Sequence, residues 1–517
     1  QLDGLPLAIE LAAARVRLLS LPAMLQRLNQ RLKLLTGGSR DLPGRQQTLR
    51  GAIDWSFDLL MPPEQEVFVA MGVFAGGWTL EMAQTVCPEH AGAMAELLAN
   101  LANKSLLRRA GAPPRWSMLA TLREYALERL AAGGGLEPAS SRHALTLLEL
   151  TAQAEPELHR PQQIAWIDRL EAEHDNLRAA LAWLHAQDDP EPLLRLASVA
   201  WHLWLNHNHF DEGRRWLGLA LERAPRSALR VPLLIGAGVL ARMQNDYAQA
   251  RGFFDEGLGL VRAADDKGGI ATILRQLGLL ELFNGQYDSA TRLMREGLMV
   301  FRRLGDQSGI SSMLINLSLI SLYQGDDHAV VRYASEGLGL VRQLGDTRLV
   351  AVSLWNMALG LSRLGERERA MPLLEESLGV FRELGDINSV GGLLTDLGYV
   401  ALWRADGEAA AGYLLEGLAL SLQVRNLENI AFCLEGLGQV AVARGAGPYA
   451  ATVFGGAAAL RRQINNPMPP RNRMDYDAAL LRLYGQLAPE AFAEAWDIGE
   501  ACGADQLVAY AASPPWA

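Results

Sequence analysis

Cysteine is scarce in this chain. Cys87, Cys433 and Cys502 are the three in 517 residues. They lie far apart and form no Cys-x-x-Cys pair, which argues against a disulfide framework and against a thiolate zinc site. A reducing cytoplasm is the simplest home for such a chain. Lysine is equally rare: Lys33, Lys104 and Lys267 stand among 48 basic residues. Together with abundant alanine and glycine, this reads as genomic base composition. No apolar run approaches the roughly 18–20 residues that span a bilayer, and no signal peptide opens the sequence. A glycine-rich loop ending in Gly-Lys-Ser/Thr, which would cradle phosphates with backbone N–H groups, is missing. The single Lys-Ser pair, Lys104-Ser105, follows Leu101-Ala102-Asn103 instead. There is no GxSxG, no HExxH and no Ser/His/Asp order. Gly133-Gly134-Gly135 reads as a flexible linker, and the acidic pairs Asp265-Asp266 and Glu375-Glu376 as solvated faces. The expectation is a chain with no catalytic residues and no resident metal, unable to turn over ATP by itself.

Charge is unevenly spread. The net value is −10, of which residues 1–130 carry +2 and the remainder −12. An acidic bulk field does not attract nucleic acid. Half the chain is hydrophobic, enough for cores, and the length suggests roughly three or four domains.

What is present is a repeat of period 40. Leu234, Leu274, Leu314, Leu354, Leu394 and Leu434 form one ladder. Gly238, Gly278, Ser318, Ala358, Gly398 and Gly438 form a second, four residues on and therefore on the same helical face. Ala250, Ala290, Val330, Ala370, Ala410 and Ala450 form a third, and Leu258 through Leu418 a fourth. In-phase ladders of this kind mark a stacked repeat architecture. Leucine fills the interface while the small residue admits a close partner helix. Gly285-Gln286-Tyr287 turns the chain, and Leu304-Gly305-Asp306 closes the unit. Gly305 suits a left-handed helix end and Asp306 a cap on the next helix. The tripeptide recurs at 344–346 and 384–386.

The pattern Leu274-x2-Leu277-Gly278 followed by Gly285-x-Tyr287-x2-Ala290 resembles the tetratricopeptide (TPR) repeat, specifically over 232–451. Two departures stand out. The period is 40 rather than 34, so either the helices or the inter-unit loops are longer. The late proline is replaced by Arg262, Arg302, Arg342 and Arg382. A degenerate earlier unit is expected around Asn208-His209-Phe210, ahead of Arg215-Trp216. His202, His207 and His209 cluster there with Asp211 and Glu212. Imidazole and carboxylate suit zinc or nickel, but the position coincides with the Gly-x-Tyr turn of later units, and the turn is the preferred reading.

An ordered series precedes the array: Gly4-Leu5-Pro6-Leu7, then Thr48-Leu49-Arg50-Gly51-Ala52-Ile53-Asp54-Trp55-Ser56, Val73 to Leu80, Leu101 to Leu107, Met118 to Ala126, and His174-Asp175-Asn176-Leu177-Arg178. This series resembles the end of the nucleotide-binding module of STAND (NB-ARC-like) signalling ATPases, closest to those in bacterial LuxR- and SARP-type transcription regulators. The resemblance covers nearly the whole chain. It implies that Pro6 touches the adenine, with Gly4, Leu5 and Leu7 as its frame. It also implies a winged helix in which a Met-His-Asp-like triplet senses nucleotide. Here that position reads Met118-Leu119-Ala120. The histidine and the acid are missing, so the resemblance does not carry a β-phosphate contact to this position. ATP or ADP would belong to the parent protein only, with the P-loop ATPase and output domains upstream in cis. The chain is expected to be a fragment of that parent. Winged helices often bind DNA, but Lys104, Arg108, Arg109 and Arg115 beside an acidic array make a weak binder, and no direct DNA contact is expected.

The expected fold is mostly α: a winged-helix domain followed by a TPR-like right-handed α-solenoid. The expected divisions are 1–44, remnant of a helical subdomain; 45–130, winged helix; 131–231, linker and helical lead-in; 232–466, TPR-like array; and 467–517, helical cap. In TPR arrays the first helix of each unit lines the concave face. That places Arg275, Phe283, Tyr323, Trp355, Tyr399 and Trp403 in a groove rich in aromatic groups, which usually marks a binding site. The expected function is the sensor portion of a STAND-type ATPase regulator, with a protein or small-molecule ligand on the concave face. The alternatives are a TPR scaffold without a nucleotide role, or the sensor half of a cyclase- or kinase-linked ATPase. No membrane partner is expected.

Overall fold

The computed structural model describes residues 49–111, 114–159, 163–224, 229–464, 466–468 and 470–516. Residues 1–48, including the expected adenine-site residues Gly4, Leu5, Pro6 and Leu7, lie outside the described residues. The chain divides into two compact units, Gln1–Phe253 and Phe254–Ala517. Among the described residues, no helix is long and apolar enough to cross a membrane.

The described part of the first unit begins with a winged helix. Helices α1 (Leu49–Asp58), α2 (Pro62–Ala70), α3 (Leu80–Val86) and α4 (Met94–Asn103) precede a two-stranded antiparallel wing. Its strands are β1 (Arg108–Ala110) and β2 (Arg115–Ser117), with Arg109 opposite Trp116. Trp78 bridges to Trp116 outside the hairpin, and its fully buried ring stacks on Phe74 at 5.1 Å. Met118 and Leu119 lead from the wing into α5 (Ala120–Ala132). Then follow α6 (Leu136–Ala154), α7 (Gln163–Ala172), α8 (His174–His185), α9 (Glu191–Asn206), α10 (Phe210–Arg223) and α11 (Arg230–Met243). Helices α9, α10 and α11 pack on one another as a hairpin and a third helix. The turn 207–209 sits where the degenerate repeat was expected.

Asn176 explains the His-Asp-Asn-Leu-Arg stretch. It is fully buried. Its Oδ1 accepts from the N–H groups of Ala75 (2.9 Å) and Gly76 (3.2 Å), and its Nδ2 donates to Gly77 O (2.8 Å). One amide thus satisfies the backbone of the Ala75-Gly76-Gly77 turn and locks α8 onto the winged helix, because buried polar groups left unpaired are costly.

The second unit is a row of helical hairpins. Helix α12 (Tyr247–Ala263) carries the division between units. The row continues through α13 (Lys267–Phe283), α14 (Tyr287–Leu304), α15 (Gln307–Gln324), α16 (Asp327–Leu344), α17 (Thr347–Arg363) and α18 (Arg367–Glu383). It ends with α19 (Ile387–Trp403), α20 (Gly407–Gln423), α21 (Leu427–Ala443) and α22 (Gly447–Gln463). From α13 onward each helix packs on the next, and the first helices of successive units also touch. The long period is now accounted for: the helices run 17–18 residues while the turns between them stay short. The extra length relative to the TPR consensus therefore lies in the helices.

The ladders are the core. Leu314, Leu354, Leu394 and Leu434 are fully buried, as are Ala290, Val330, Ala370, Ala410 and Ala450. The small-residue ladder marks close approach: a Cβ on Gly398 would stand 2.6 Å from Leu414, and one on Gly438 2.4 Å from Phe454. Gly305 ends α14 in the left-handed region (φ 70°), and Asp306 accepts from the Gly309 N–H at 3.0 Å as the N-cap of α15. Asp346 and Asp386 cap α17 and α19 in the same way.

Three further helices follow: α23 (Pro470–Tyr484), α24 (Pro489–Ala501) and α25 (Ala504–Ala511). Helix α24 packs tightly on α22, where a Cβ on Gly499 would meet Thr452 O at 2.0 Å, and α25 covers α20, α21 and α22. These two close the end of the row, which a solenoid needs because its last unit otherwise exposes an apolar face. Helix α23 does something else. It touches α21 and α22 and also α15, a first helix three repeats earlier. It therefore runs back along the inner side of the row.

Candidate ligand-binding site on the inner face of the repeats

Four first helices, α15, α17, α19 and α21, together with Phe381 of α18, line a cavity of about 370 Å³. Its wall has two characters. Ile315, Leu319, Leu322, Val352, Trp355, Leu359 and Phe381 supply the apolar part. Trp355 stands edge-on to Phe381 at 6.2 Å, and its indole ring is seated over Gly392, where a Cβ would come within 2.8 Å. The polar part comes from Asn316, Asn356, Asp396 and Tyr323 along the helices, and from Asn388, Asn426, Glu428 and Asn429 at helix starts.

Several of these polar groups are fixed by one another. The Trp355 Nε1–H donates to Asp396 Oδ2 at 2.8 Å. Asn356 donates to Ser318 Oγ at 2.8 Å, and Asn426 to Asn388 Oδ1 at 2.7 Å. Asn429 donates to Ser421 Oγ at 2.6 Å. Hydrogen-bonded neighbours of this kind hold recognition groups in one geometry before a ligand arrives. Behind the wall, Arg461 donates from Nη2 to Glu435 Oε2 at 2.8 Å and lies over the Phe432 ring at 4.4 Å. Burial pushes the Glu435 carboxyl upward against the pull of Arg461.

Of the six groove residues read from the sequence, Tyr323, Trp355 and Tyr399 line this cavity. Tyr399 is nearly inaccessible, and its OH donates to Phe432 O at 3.1 Å. Arg275, Phe283 and Trp403 are not part of the wall. Phe283 is 49% exposed at the end of α13. Burial pulls the Arg275 guanidinium below its usual range. The Trp403 indole donates to Asp475 Oδ2 of α23 at 3.0 Å, so this aromatic group is already engaged by the returning helix. Sequence reasoning missed the polar column Gln276, Asn316, Asn356 and Asp396, which recurs at the repeat period beside the groove positions. The available signal was an amide or acid repeating in phase on an otherwise apolar face.

On the winged helix the basic patch is largely consumed. Lys104 pairs with Glu64 at 2.5 Å and holds that carboxyl below its usual range. Arg115 pairs with the buried Glu173 at 2.6 Å. Arg109 lies over the Trp116 ring.

Comparison with known proteins shows what the chain is similar to. No family profile matches the chain. Among solved structures, a Signal Transduction ATPase with Numerous Domains (STAND) protein with a tetratricopeptide repeat sensor, from Pyrococcus horikoshii, superimposes with a TM-score of 0.53 at 14% identity. The match covers 96% of this chain and 75% of that one. The chain thus shares its fold with that protein over the matched length. Among curated sequences, a protein of Mycobacterium tuberculosis provisionally named an HTH-type transcriptional regulator is 36% identical over 249 residues. That match covers 47% of this chain and 28% of the relative. An uncharacterized protein of Mycobacterium bovis is 37% identical over 153 residues, 28% of this chain and 38% of that protein. The chain therefore spans well under half the length of the curated relatives it matches.

Proposed function

We propose that this chain is the sensor portion of a STAND-type ATPase transcription regulator, whose inner-face cavity binds a ligand and thereby biases the nucleotide switch of the parent protein. The observation that carries the reading is the cavity itself: a preorganised site with an apolar floor, built across four consecutive repeats. Concave sites with an apolar body and a few convergent polar groups are the usual form of ligand pockets. Among the described residues lining it there is no lysine or arginine, while Asp396 and Glu428 supply carboxylates. Such a wall disfavours anions and suits a neutral or cationic partner with an apolar anchor against Trp355 and Phe381.

The test uses fluorescent decapeptides with a central phenylalanine and either neutral, lysine-rich or glutamate-rich flanks. Neutral and lysine-rich peptides should bind, and Tyr323→Ala with Asn316→Ala should weaken them at least tenfold while the helical circular-dichroism signal is unchanged. Preferential capture of the glutamate-rich peptide, or binding insensitive to both substitutions, would sink the site assignment. The switch is tested on the full-length parent: a bound peptide should change the release rate of a fluorescent ADP analogue severalfold, and in Tyr323→Ala it should not. Release unaffected by a peptide that binds would leave a TPR scaffold without nucleotide control.

A further inference from the structure

The histidine cluster anticipated as a turn is regrouped by the fold. His202 turns away, its Nδ1 against Val199 O at 3.1 Å. His209, in the α9–α10 turn, instead meets Glu171 at the end of α7 and His174 at the start of α8. The His209 Nε2 lies 3.3 Å from Glu171 Oε1, and the His174 Nδ1 lies 3.8 Å from Glu171 Oε2. One ligand atom from each of the three falls within 4.8 Å of the others. The two imidazoles are 4.3 Å apart, centroid to centroid.

Two observations set this cluster apart from an ordinary ion-pair network. Glu171 Oε2, which faces His174 Nδ1, is buried without a hydrogen-bond partner. Buried polar atoms are seldom left so, and an ion is one standard cause. Carboxylates also outnumber cations. Asp168 faces His207 at 3.9 Å, and Asp175 and Glu212 both pair with Arg178. With Glu171, four carboxylates stand against Arg178 and Arg123, the latter acting on Asp175, an excess that a dication would neutralise.

We propose that Glu171, His174 and His209 form a divalent transition-metal site, of the kind that takes zinc or cobalt. Tetrahedral ligands with bonds near 2.0–2.1 Å lie about 3.3 Å from one another. With one atom from each residue within 4.8 Å of the others, closing onto an ion needs side-chain movements of up to about 1.5 Å. His174 would bind through Nδ1, facing Glu171. Its other nitrogen, Nε2, lies 3.3 Å from Glu212 Oε2, and a slight turn of the ring toward the metal would align that contact as a hydrogen bond. Glu212 is itself gripped by Arg178 at 2.9 and 2.7 Å. That reproduces the carboxylate–histidine–metal relay that orients a ligating ring. With three protein ligands the fourth position falls to water. The site would staple α7, α8 and the α9–α10 turn together, close in sequence to the Asn176 lock on the winged helix.

The experiment is titration of the purified chain, after chelator treatment, with zinc and separately with cobalt. One equivalent of each should bind. The cobalt form should show visible d–d bands of tetrahedral strength and no sulfur-to-cobalt charge transfer in the near ultraviolet. Zinc should raise the thermal midpoint, and chelator should reverse this. His209→Gln and Glu171→Gln, both at partly exposed side chains, should abolish stoichiometric binding with unchanged circular dichroism. Glu212→Gln should weaken it about 10–100-fold, and His202→Gln should leave it intact. The proposal is overturned if the native chain binds neither ion, if His209→Gln and Glu171→Gln bind as tightly as the native chain, or if thiolate bands place the metal on a cysteine.

Discussion

Helix ends in the repeat row make opposite demands on glycine and alanine, and the structure predicts the sign at particular positions. The residue closing the first helix of each unit recurs in phase: Asn245, Gly285, Gly325, Gly365, Ala405 and Gly445. All have positive φ, from 59° at Ala405 to 85° at Gly365. A left-handed conformation brings the Cβ of an L-residue against its own backbone at about 1–2 kcal/mol, and glycine escapes this. Ala405→Gly should therefore stabilise the protein by about 1 kcal/mol once the greater freedom of unfolded glycine is subtracted. Gly379 is the converse case. It lies inside α18 on an exposed surface, and a Cβ there would meet nothing within 4 Å. Gly379→Ala should stabilise by about 0.5–1 kcal/mol, because a helix interior favours alanine. Opposite substitutions should thus both raise the urea midpoint, whereas Gly365→Ala should lower it, at a cost of about 1 kcal/mol or more. If Ala405→Gly lowers the midpoint, the left-handed turn assigned to that column is wrong.

Two further perturbations test the first unit. His143 is buried, and burial, opposed by a hydrogen bond to Asn176, lowers its pKa to about 4. Its folded value lies below the unfolded one, so the neutral ring contributes stability that is complete above about pH 6.5 and lost as pH falls toward 4. The loss is of order 3 kcal/mol. His143→Leu should flatten the stability profile across that window, and an unchanged slope in urea denaturation would contradict the assignment. Asn176→Ala would strand the Ala75 and Gly76 N–H groups and the Gly77 carbonyl, and should cost about 3–5 kcal/mol. A loss below about 1 kcal/mol would mean that water replaces the amide without penalty.

The repeat was legible because its causes are local and periodic. Leu314 and Leu354, Ala370 and Ala410, and the Leu-Gly-Asp turns each fill the same mechanical role once per unit, so spacing alone reveals them. The stretch Gly111-Ala112-Pro113-Pro114 is a turn signal in the sequence, and β1 and β2 of the wing flank it. What escaped the sequence depends on contacts without a period. The return of α23 onto α15 is one such contact, since nothing in Asp475 announces Trp403 as its partner. The meeting of Glu171 with His209 is another, because the two are joined only through the fold of α8 and α9.

The same distinction governs the cavity. Tyr323, Trp355 and Tyr399 belong to groove positions that the period predicts. What they face differs, because each repeat contributes a different neighbour: Tyr399 bonds inward to the α21 backbone, while Trp355 bonds to Asp396 on the next first helix. A ladder fixes where a side chain points and leaves its partner free to vary. Specificity in such a row therefore resides in the departures from the repeat, in Asn316 and Asn356 against Asp396, and in Ile315 and Trp355 against Thr395. A ligand read by this surface is read by the differences among repeats that are otherwise alike.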